Sequence, residues 1–306
     1  MRADFNRPRS GYYNPGMPQS PISAIQANVR AALDEDIASG DLTAQLIPAN
    51  SRSQARVITR EDAVLCGVDW FEACFASLSA DVKMTWHARD GDAVTAGQTL
   101  CEVSGPARTL LSAERPALNF LQTLSAVASE TRRYVAAIAG TRARIYDTRK
   151  TLPGLRLALK YAVKCGGGEN QRIGLYDGIL IKENHIAAAG GIAPALAAAF
   201  ELAGSFELAA PVELGGAEVS VQIEVENLSQ LEQALDAGAR LILLDNFDLA
   251  GLRAAVSFNA GRAALEASGG IDLKTVRAIA ETGVDRISVG SLTKSVRALD
   301  LSMRFV

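Results

Sequence analysis

The chain has 306 residues, of which 48% are hydrophobic and 21% are charged, and its formal net charge is −3. These values fit a globular protein with a sizeable core, and they argue against a nucleic-acid-binding protein, which normally carries a dominant basic face. No apolar run reaches the roughly 18 residues of a membrane span, and the N-terminus lacks the apolar core of a signal peptide.

The cysteines and histidines limit the kinds of disulfide, metal site and catalytic site that the chain can form. The four cysteines, Cys66, Cys74, Cys101 and Cys165, show no CxxC spacing and are expected to be buried and reduced in a cytoplasmic protein. The chain contains two histidines, which excludes a histidine-rich metal site and argues against a Ser-His-Asp triad.

The first part of the chain predicts a tail followed by a mixed α+β domain. Residues 1–20 contain prolines and glycines without periodicity, which predicts a flexible tail. Helical spacing of apolar residues begins at Ile22 and ends before Gly40, and a second helical pattern from 109 to 139 is expected to be interrupted at Pro116. The predicted domain covers residues 21–125 and is joined by a C-terminal helix at 293–306. Short strands are predicted at 55–59, 64–67 and 82–86.

The second half of the chain shows a repeated strand–helix pattern. Apolar runs alternate with helical patterns, and this predicts parallel strands at 144–147, 178–182, 221–225, 241–245, 263–268 and 286–289. The repeat predicts a closed or nearly closed α/β barrel over residues 126–292. Residues 186–220, which are rich in Ala and Gly, are interpreted as an extended helix and loop at the barrel periphery.

A basic segment from Asp147 to His185 is the main candidate for binding chemistry. A short helix after Pro153 ends at three glycines, 166–168, and a buried strand then leads to Lys182. Basic side chains on rigid elements beside a glycine loop suit a small polyanion such as a phosphate or carboxylate. The alternative is a solvated helix face, which we favour for Lys160 and Lys164 but not for the residues beside strands and glycine turns, Arg149, Lys150, Arg172 and Lys182.

Polar residues and glycines follow the predicted barrel strands. Ligands of such barrels bind at the C-terminal ends of the strands, and phosphate is commonly held by backbone N–H groups after the last two strands. Packing is the alternative explanation for Gly269 and Gly270, whereas buried acids at successive strand ends need partners. In chain order these ends carry Asp147 with Arg149 and Lys150, then Lys182, Glu224 with Glu226, Asp245, Ser268–Gly270, and Gly290–Ser291.

Seven sequence pieces together resemble one family. They are EDIASGDLTAQLIP (35–48), AERPALNFLQ (113–122), the segment that begins DTRKTLPGLR (147–185), EVENL (224–228), LILLDNF (241–247), EASGGI (266–271) and SVGSLT (288–293). This set is similar to the quinolinate phosphoribosyltransferases, also called carboxylating nicotinate-nucleotide pyrophosphorylases. The resemblance implies a type II phosphoribosyltransferase fold, an incomplete (β/α) barrel of fewer than eight regular strands with an N-terminal α+β sandwich domain.

The resemblance also implies a reaction and a set of site residues. Quinolinate and phosphoribosyl pyrophosphate would give nicotinate mononucleotide, pyrophosphate and CO2, a pentosyl transfer in de novo NAD biosynthesis. Lys150, Lys182, Glu224 and Asp245 are the implied catalytic residues. Mg2+ is the expected cofactor, held through the substrate pyrophosphate and through water by Glu224 and Asp245, with no residue binding it directly. Substrate contacts are expected from Arg115, Thr148, Arg149, Lys150, Arg172, Lys182, Glu224, Asp245, Ser268, Gly269, Gly270, Ser288, Val289 and Gly290.

In the resembled family, the first domain of one subunit covers the barrel mouth of the other. We therefore expect a homodimer in which Arg115 reaches the partner's active site, and no nucleic-acid or membrane partner. The sequence departs from the family pattern at Gln171 and at Lys294, where many members have histidine, so no role of a histidine at Gln171 can be transferred.

Two alternative functions stay open from the sequence. A sibling enzyme for another pyridine or azole acid would keep the glycine turns but lose part of the Arg/Lys cluster. A non-catalytic ligand-binding barrel would be expected to lose Glu224 or Asp245. The chain retains the cluster and both acids, which favours a quinolinate phosphoribosyltransferase over both alternatives.

Overall fold

The computed structural model describes residues 21–205 and 219–306, so the predicted tail lies outside the described residues. These residues form two compact units. The first contains the chain up to Arg132 together with Leu152–Gly167 and Thr293–Val306, and the second contains Arg133–Thr151 and Gly168–Leu292. The units therefore divide inside a helix rather than at residue 125, and the segment 152–167, which we expected in the barrel, belongs to the first unit.

Helices and strands alternate along most of the chain. The helices are α1 (Ile22–Ile37), α2 (Val68–Leu78), α3 (Ala107–Ala137), α4 (Arg156–Cys165), α5 (Glu183–Ala189), α6 (Ile192–Ser205), α7 (Leu228–Asp236), α8 (Leu249–Asn259) and α9 (Val276–Ala280). The strands are β1 (Arg52–Thr59), β2 (Ala63–Val64), β3 (Lys83–Trp86), β4 (Ala93–Val94), β5 (Thr99–Pro106), β6 (Arg144–Tyr146), β7 (Gly178–Ile181), β8 (Ser220–Val225), β9 (Leu241–Asp245), β10 (Ala264–Ser268), β11 (Arg286–Ser288) and β12 (Leu301–Phe305).

The first unit contains an antiparallel sheet in the order β12-β1-β5-β3, with a small β2–β4 ladder. Its core includes Phe71, Phe75 and Trp86, and the rings of Phe71 and Trp86 pack edge to face with centroids 5.4 Å apart. Our prediction of a C-terminal helix was wrong, because the chain ends in strand β12. Leu301 and Met303 are buried while their neighbours are more exposed, which is the two-residue period of a strand.

Helix α3 continues through Pro116, so the predicted interruption was also wrong. Proline in a helix interior removes one hydrogen bond and costs about 3 kcal/mol. Here the buried face of the helix extends on both sides of the proline, through Leu110, Ala113, Ala117 and Leu121. Burial of each leucine contributes roughly 2 kcal/mol, which is enough to keep the helix continuous.

The second unit is an incomplete α/β barrel, as predicted. Its six strands are all parallel and are ordered β6-β11-β10-β9-β8-β7. Their interior residues, such as Ile223, Ile242 and Leu265, are fully buried, which explains the near-continuous apolar runs in the sequence. Between the two end strands, Glu169 forms a parallel bridge with Tyr146 before the chain enters β7.

Three further predictions from the sequence can be compared with the fold. The four cysteines are free and buried, as predicted. The helical part of the 186–220 prediction is confirmed by α6, and the predicted loop lies largely outside the described residues. Among residues 21–205 and 219–306, no single helix has the length and apolar composition to cross a membrane, although the bent pair α5 and α6 meets those criteria jointly.

The interpretation of Lys160 as a solvated residue was wrong. Helix α4 is buried on nearly all sides, and Lys160 has 0% relative exposure between the buried residues Leu159 and Tyr161. Lys164, on the last turn of the same helix, is partly exposed. A buried lysine is costly unless its charge is balanced, so Lys160 belongs to the interior of the first unit and not to a basic surface.

Candidate active site

The barrel brings most of the predicted site residues to one edge of its sheet. Because all six strands are parallel, their C-terminal ends lie at the same edge. The sheet order differs from the chain order, since β6 lies beside β11. Along this edge the strands are followed by or end in Lys182, Glu224, Asp245, Ser268–Gly270, Gly290 and Thr148–Lys150.

Lys182 and Glu224 form an ion pair at neighbouring strand ends. The Lys182 Nζ lies 2.5 Å from the Glu224 Oε2, and the side chains are 42% and 11% exposed. The backbone of Lys182 is held at both polar atoms by His185, whose Nδ1 accepts its N–H at 3.1 Å and whose N–H donates to its carbonyl at 2.8 Å. The ammonium is therefore presented from a capped helix start, and sequence reasoning missed this role of His185.

Asp245, at the end of β9, lies beside a tight glycine turn. Its Oδ2 accepts a 2.7 Å hydrogen bond from Asn246 Nδ2, and the Asn246 N–H donates to the Ser268 carbonyl at 2.9 Å. A Cβ on Gly269, where φ is +109°, would lie 2.1 Å from Asn246 Oδ1. Packing therefore explains Gly269. At Gly270 a Cβ would meet nothing within 4 Å, so open space lies over that residue.

The second glycine turn lies beside the basic strand end. A Cβ on Gly290 would approach Lys150 Cδ to 3.4 Å and Thr148 Oγ1 to 3.5 Å, so these three residues pack closely. The N–H of Val289 donates to the Tyr146 carbonyl at 2.9 Å, and both Ser288 and Val289 are buried. The Val289 amide is therefore committed to the sheet, which leaves Gly290 as the partly exposed member of the predicted trio.

Arg172 lies near enough to Arg149 for the charge of Arg149 to affect the pKa of Arg172. Burial lowers the pKa of Arg172, and the positive charge of Arg149 lowers this pKa further, while Asp177 opposes the change. Arg172 Nη1 also donates to the Gly178 carbonyl at 2.9 Å. A ligand that carries two carboxylates would stabilise these two positively charged guanidinium groups.

A buried polar network beneath this edge was missed by sequence reasoning. Glu266, in the middle of β10, has 0% relative exposure, and its Oε2 lies 2.9 Å from Arg286 Nε and accepts from Gln222 Nε2 at 3.0 Å. Its Oε1 accepts from Gln171 Nε2. Burial raises the pKa of Glu266, and the charge of Arg286 opposes this, with smaller contributions from hydrogen bonds. An acid inside an apolar strand pattern was the signal that could have revealed it.

Comparison with known proteins matches two family domains that meet near residue 126. The family described as "Quinolinate phosphoribosyl transferase, N-terminal domain" matches residues 41–125, and the corresponding C-terminal domain matches 127–304. The chain belongs to the quinolinate phosphoribosyltransferase family. It is 41% identical to a probable nicotinate-nucleotide pyrophosphorylase [carboxylating] of Bacillus subtilis, over 88% of this chain and 89% of that protein. It is 40% identical to the corresponding Mycobacterium leprae protein, over 92% and 97%.

The structural comparison agrees with the family. The nicotinate-nucleotide pyrophosphorylase structure from Francisella tularensis superimposes with a TM-score of 0.88 at 43% identity, covering 96% of this chain and all of that one. The family and the fold class predicted from the sequence are thus confirmed.

Two residues singled out in the sequence, Arg115 and Lys294, lie in the first unit. Arg115 is exposed on α3, and its charge partly offsets the burial that raises the pKa of the adjacent Glu114. Lys294 is exposed as well. The contact of Arg115 with a partner subunit stays a prediction, because it concerns a second copy of the chain.

Proposed function

We propose that this chain transfers the phosphoribosyl group of phosphoribosyl pyrophosphate to quinolinate and releases one carboxylate as CO2, giving nicotinate mononucleotide and pyrophosphate. The observation that carries this proposal is the convergence, at one edge of a barrel of this family, of paired guanidinium groups, the Lys182–Glu224 pair, Asp245 and an open glycine turn. Each of these features matches one part of the two substrates.

The basic groups suit quinolinate, which is pyridine-2,3-dicarboxylate. Arg149 and Arg172 carry like charges that repel each other, and the two adjacent carboxylates of quinolinate would relieve this repulsion. A dianion neutralises both guanidinium groups and accepts several charge-assisted hydrogen bonds. Lys182 neutralises Glu224 when no substrate is bound. An incoming carboxylate would compete with Glu224 for this ammonium. Quinolinate binding would therefore free the Glu224 carboxylate from its ion pair with Lys182.

The acids and the glycine turns suit the phosphoribosyl donor. Gly270 faces open space, and neither Gly270 nor Gly290 has a side chain, so a phosphate can approach the backbone closely at both residues. Transfer breaks the bond from the anomeric carbon to pyrophosphate and forms a bond to the pyridine nitrogen, with positive charge accumulating on the ribose. Glu224 and Asp245 lie at neighbouring strand ends, from which they would stabilise that charge or hold ribose hydroxyls.

Decarboxylation follows from the product of transfer. Once ribosylated, the ring nitrogen is positively charged and accepts the electron pair left when the bond to the neighbouring carboxylate breaks. The ring carbon then takes up a proton, which an ammonium group such as that of Lys182 can donate. This step depends on positioning and charge balance rather than on a dedicated base.

We propose Mg2+ as the cofactor, and the residues present suit it. Carboxylate oxygens are the ligands that Mg2+ prefers, and Glu224 and Asp245 would hold it through water while the pyrophosphate of the donor binds it directly. When bound, Mg2+ neutralises the charge that develops on the leaving pyrophosphate.

We propose that the working unit is a homodimer in which Arg115 of one subunit completes the quinolinate pocket of the other. Exposure of Arg115 on α3 supports this proposal. Arg115→Ala and Lys182→Ala should each be nearly inactive as homodimers. After subunit exchange, the heterodimer would contain one intact site and should recover towards half of the wild-type activity.

The matched control for this exchange combines Lys182→Ala with Asp245→Asn. Both substitutions lie in the barrel unit, so each site of the mixed dimer retains one defect and no recovery is expected. If mass measurement confirms exchange and the Arg115→Ala mixture stays as inactive as this control, Arg115 does not act across the interface.

The function itself is tested by measuring CO2 released from quinolinate with and without phosphoribosyl pyrophosphate. We expect release only when both substrates are present, with nicotinate mononucleotide formed in equal amount. Turnover of a different pyridine or azole acid in place of quinolinate would support the sibling-enzyme alternative. Binding of quinolinate without any turnover would support the non-catalytic barrel.

A further inference from the structure

Gln171 is fixed at two points inside the barrel unit. Its backbone N–H donates to Asp147 Oδ1 at 2.8 Å, and its side-chain Nε2 donates to Glu266 Oε1. Both acceptors have 0% relative exposure, so neither bond competes with bulk water. Removing one partner of such a bond leaves a buried group unsatisfied, which makes both contacts strong constraints on the position of Gln171.

The Glu266 end of this contact is itself rigid. Its other oxygen faces Arg286, which lies on the adjacent strand β11, and Gln222, which lies on β8, beyond β9 on the other side of β10. The guanidinium of Arg286 stacks on the ring of Tyr146, with the Arg286 Cζ 3.8 Å from the ring centroid. Three side chains, those of Arg286, Gln222 and Gln171, contact the buried Glu266 carboxylate and restrict it to one arrangement, so Glu266 is a fixed anchor.

The Asp147 end is tied to the strand that leads to Arg149. The segment preceding Gln171 pairs with β6, because Glu169 N–H donates to the Ile145 carbonyl at 2.7 Å and Asp147 N–H donates to the Glu169 carbonyl at 3.0 Å. Arg149 follows Asp147 by two residues, and Arg172 directly follows Gln171. Gln171 therefore lies at the junction of the two segments that carry the paired guanidinium groups.

We infer that Gln171 is a positioning residue, which through Asp147 and Glu266 sets the spacing of the Arg149 and Arg172 guanidinium groups and so determines selectivity for an adjacent dicarboxylate over a monocarboxylate. The inference rests on the proposed function. The neutral amide neither donates nor accepts a proton in the reaction, and its side chain is already engaged with Glu266. Its influence on substrate therefore passes through Arg172.

Binding of two acids to three variants tests this role. Quinolinate and nicotinate, which lacks the 2-carboxylate, are titrated calorimetrically into wild type, Gln171→Leu, Gln171→Asn and Gln171→His. Loss of a hydrogen bond to a buried charged group should weaken quinolinate binding about tenfold or more in Gln171→Leu. Nicotinate binding should change less than about twofold, because one carboxylate does not depend on the spacing of two guanidinium groups.

The other two variants separate positioning from packing. Gln171→Asn keeps the amide but is one methylene too short to reach Glu266, so it should resemble Gln171→Leu. Gln171→His retains an N–H donor and should restore quinolinate binding to within about threefold of wild type. Thermal unfolding of each variant reports its fold, and if Gln171→Leu does not fold, the comparison of the Asn and His variants decides.

Three results would overturn the inference. Wild-type quinolinate affinity in both Gln171→Leu and Gln171→Asn would show that the contact is not needed. Equal weakening of quinolinate and nicotinate would indicate a general structural role. Failure of the wild-type protein to bind quinolinate would remove the proposed function itself, and the inference with it, which is a different and recognisable outcome.

Discussion

We predict that Gly269→Ala, in the turn after β10, lowers both the stability and the kcat of the protein. A Cβ at this position would lie 2.1 Å from Asn246 Oδ1 and 2.8 Å from Asn246 Cγ, distances that no relaxed structure shows. The Asn246 side chain must therefore move, and its hydrogen bond to Asp245 is lost. The substitution thus changes the surroundings of a predicted catalytic carboxylate without altering any polar atom of the site.

The magnitude follows from two contributions. Alanine at a φ of +109° is strained by about 1–2 kcal/mol. Loss of the exposed hydrogen bond between Asn246 and Asp245 adds about 1 kcal/mol. Gly261→Ala is the matched control, because Gly261 precedes β10, has a φ of +79° and would meet nothing within 4 Å. That variant carries the backbone strain alone.

Thermal unfolding and steady-state kinetics of the two variants form the assay. Gly269→Ala should unfold at a lower temperature than Gly261→Ala, and its kcat should fall about tenfold, as expected for a misplaced catalytic group. Gly261→Ala should keep kcat within about twofold of wild type. Equal unfolding temperatures and equal kcat values for the two variants would refute the close approach of Gly269 to Asn246.

Three further predictions follow from the same structure. Lys182→Ala should reduce turnover severely and leave the fold intact, whereas the exposed control Lys83→Ala should change neither, and near-normal turnover of Lys182→Ala would contradict the assignment. Asp245→Asn and Glu224→Gln should lower kcat more than quinolinate affinity, and the reverse pattern would exclude stabilisation of the developing charge. Burial raises the pKa of Asp90 from 3.8 to about 6, so its contribution to stability should fall as pH rises from about 4 to about 6. The difference in unfolding temperature between wild type and Asp90→Asn should change over that interval, and a constant difference would argue against the raised pKa.

The strand ends of the site could be predicted from sequence because their signal is local. Each barrel strand is a short apolar run, and the residue that follows it, such as Lys182 or Asp245, is found simply by locating the end of the run. Parallel pairing then brings these ends to one edge without further information. The order around that edge could not be predicted, since it depends on β6 lying beside β11.

The errors share a different physical origin. Lys160 was interpreted as a surface residue, and Pro116 as a helix break, because both inferences used the local preference of a residue and ignored what covers it. In the folded chain the burial of neighbouring side chains outweighs that preference. The contact between Gln171 and Glu266 joins residues 95 apart in the sequence, and no local pattern encodes such a pair.

Labelling each carboxylate of quinolinate in turn is the most direct test of the proposed reaction. Quinolinate carrying 13C in its 2-carboxylate is incubated with the protein, Mg2+ and phosphoribosyl pyrophosphate, and a second sample carries the label in its 3-carboxylate. We expect the first label to appear entirely as CO2, in equal amount with unlabelled nicotinate mononucleotide, and the second label to stay in the nucleotide. Loss of the 3-carboxylate label, or CO2 release without phosphoribosyl pyrophosphate, would contradict the proposed reaction.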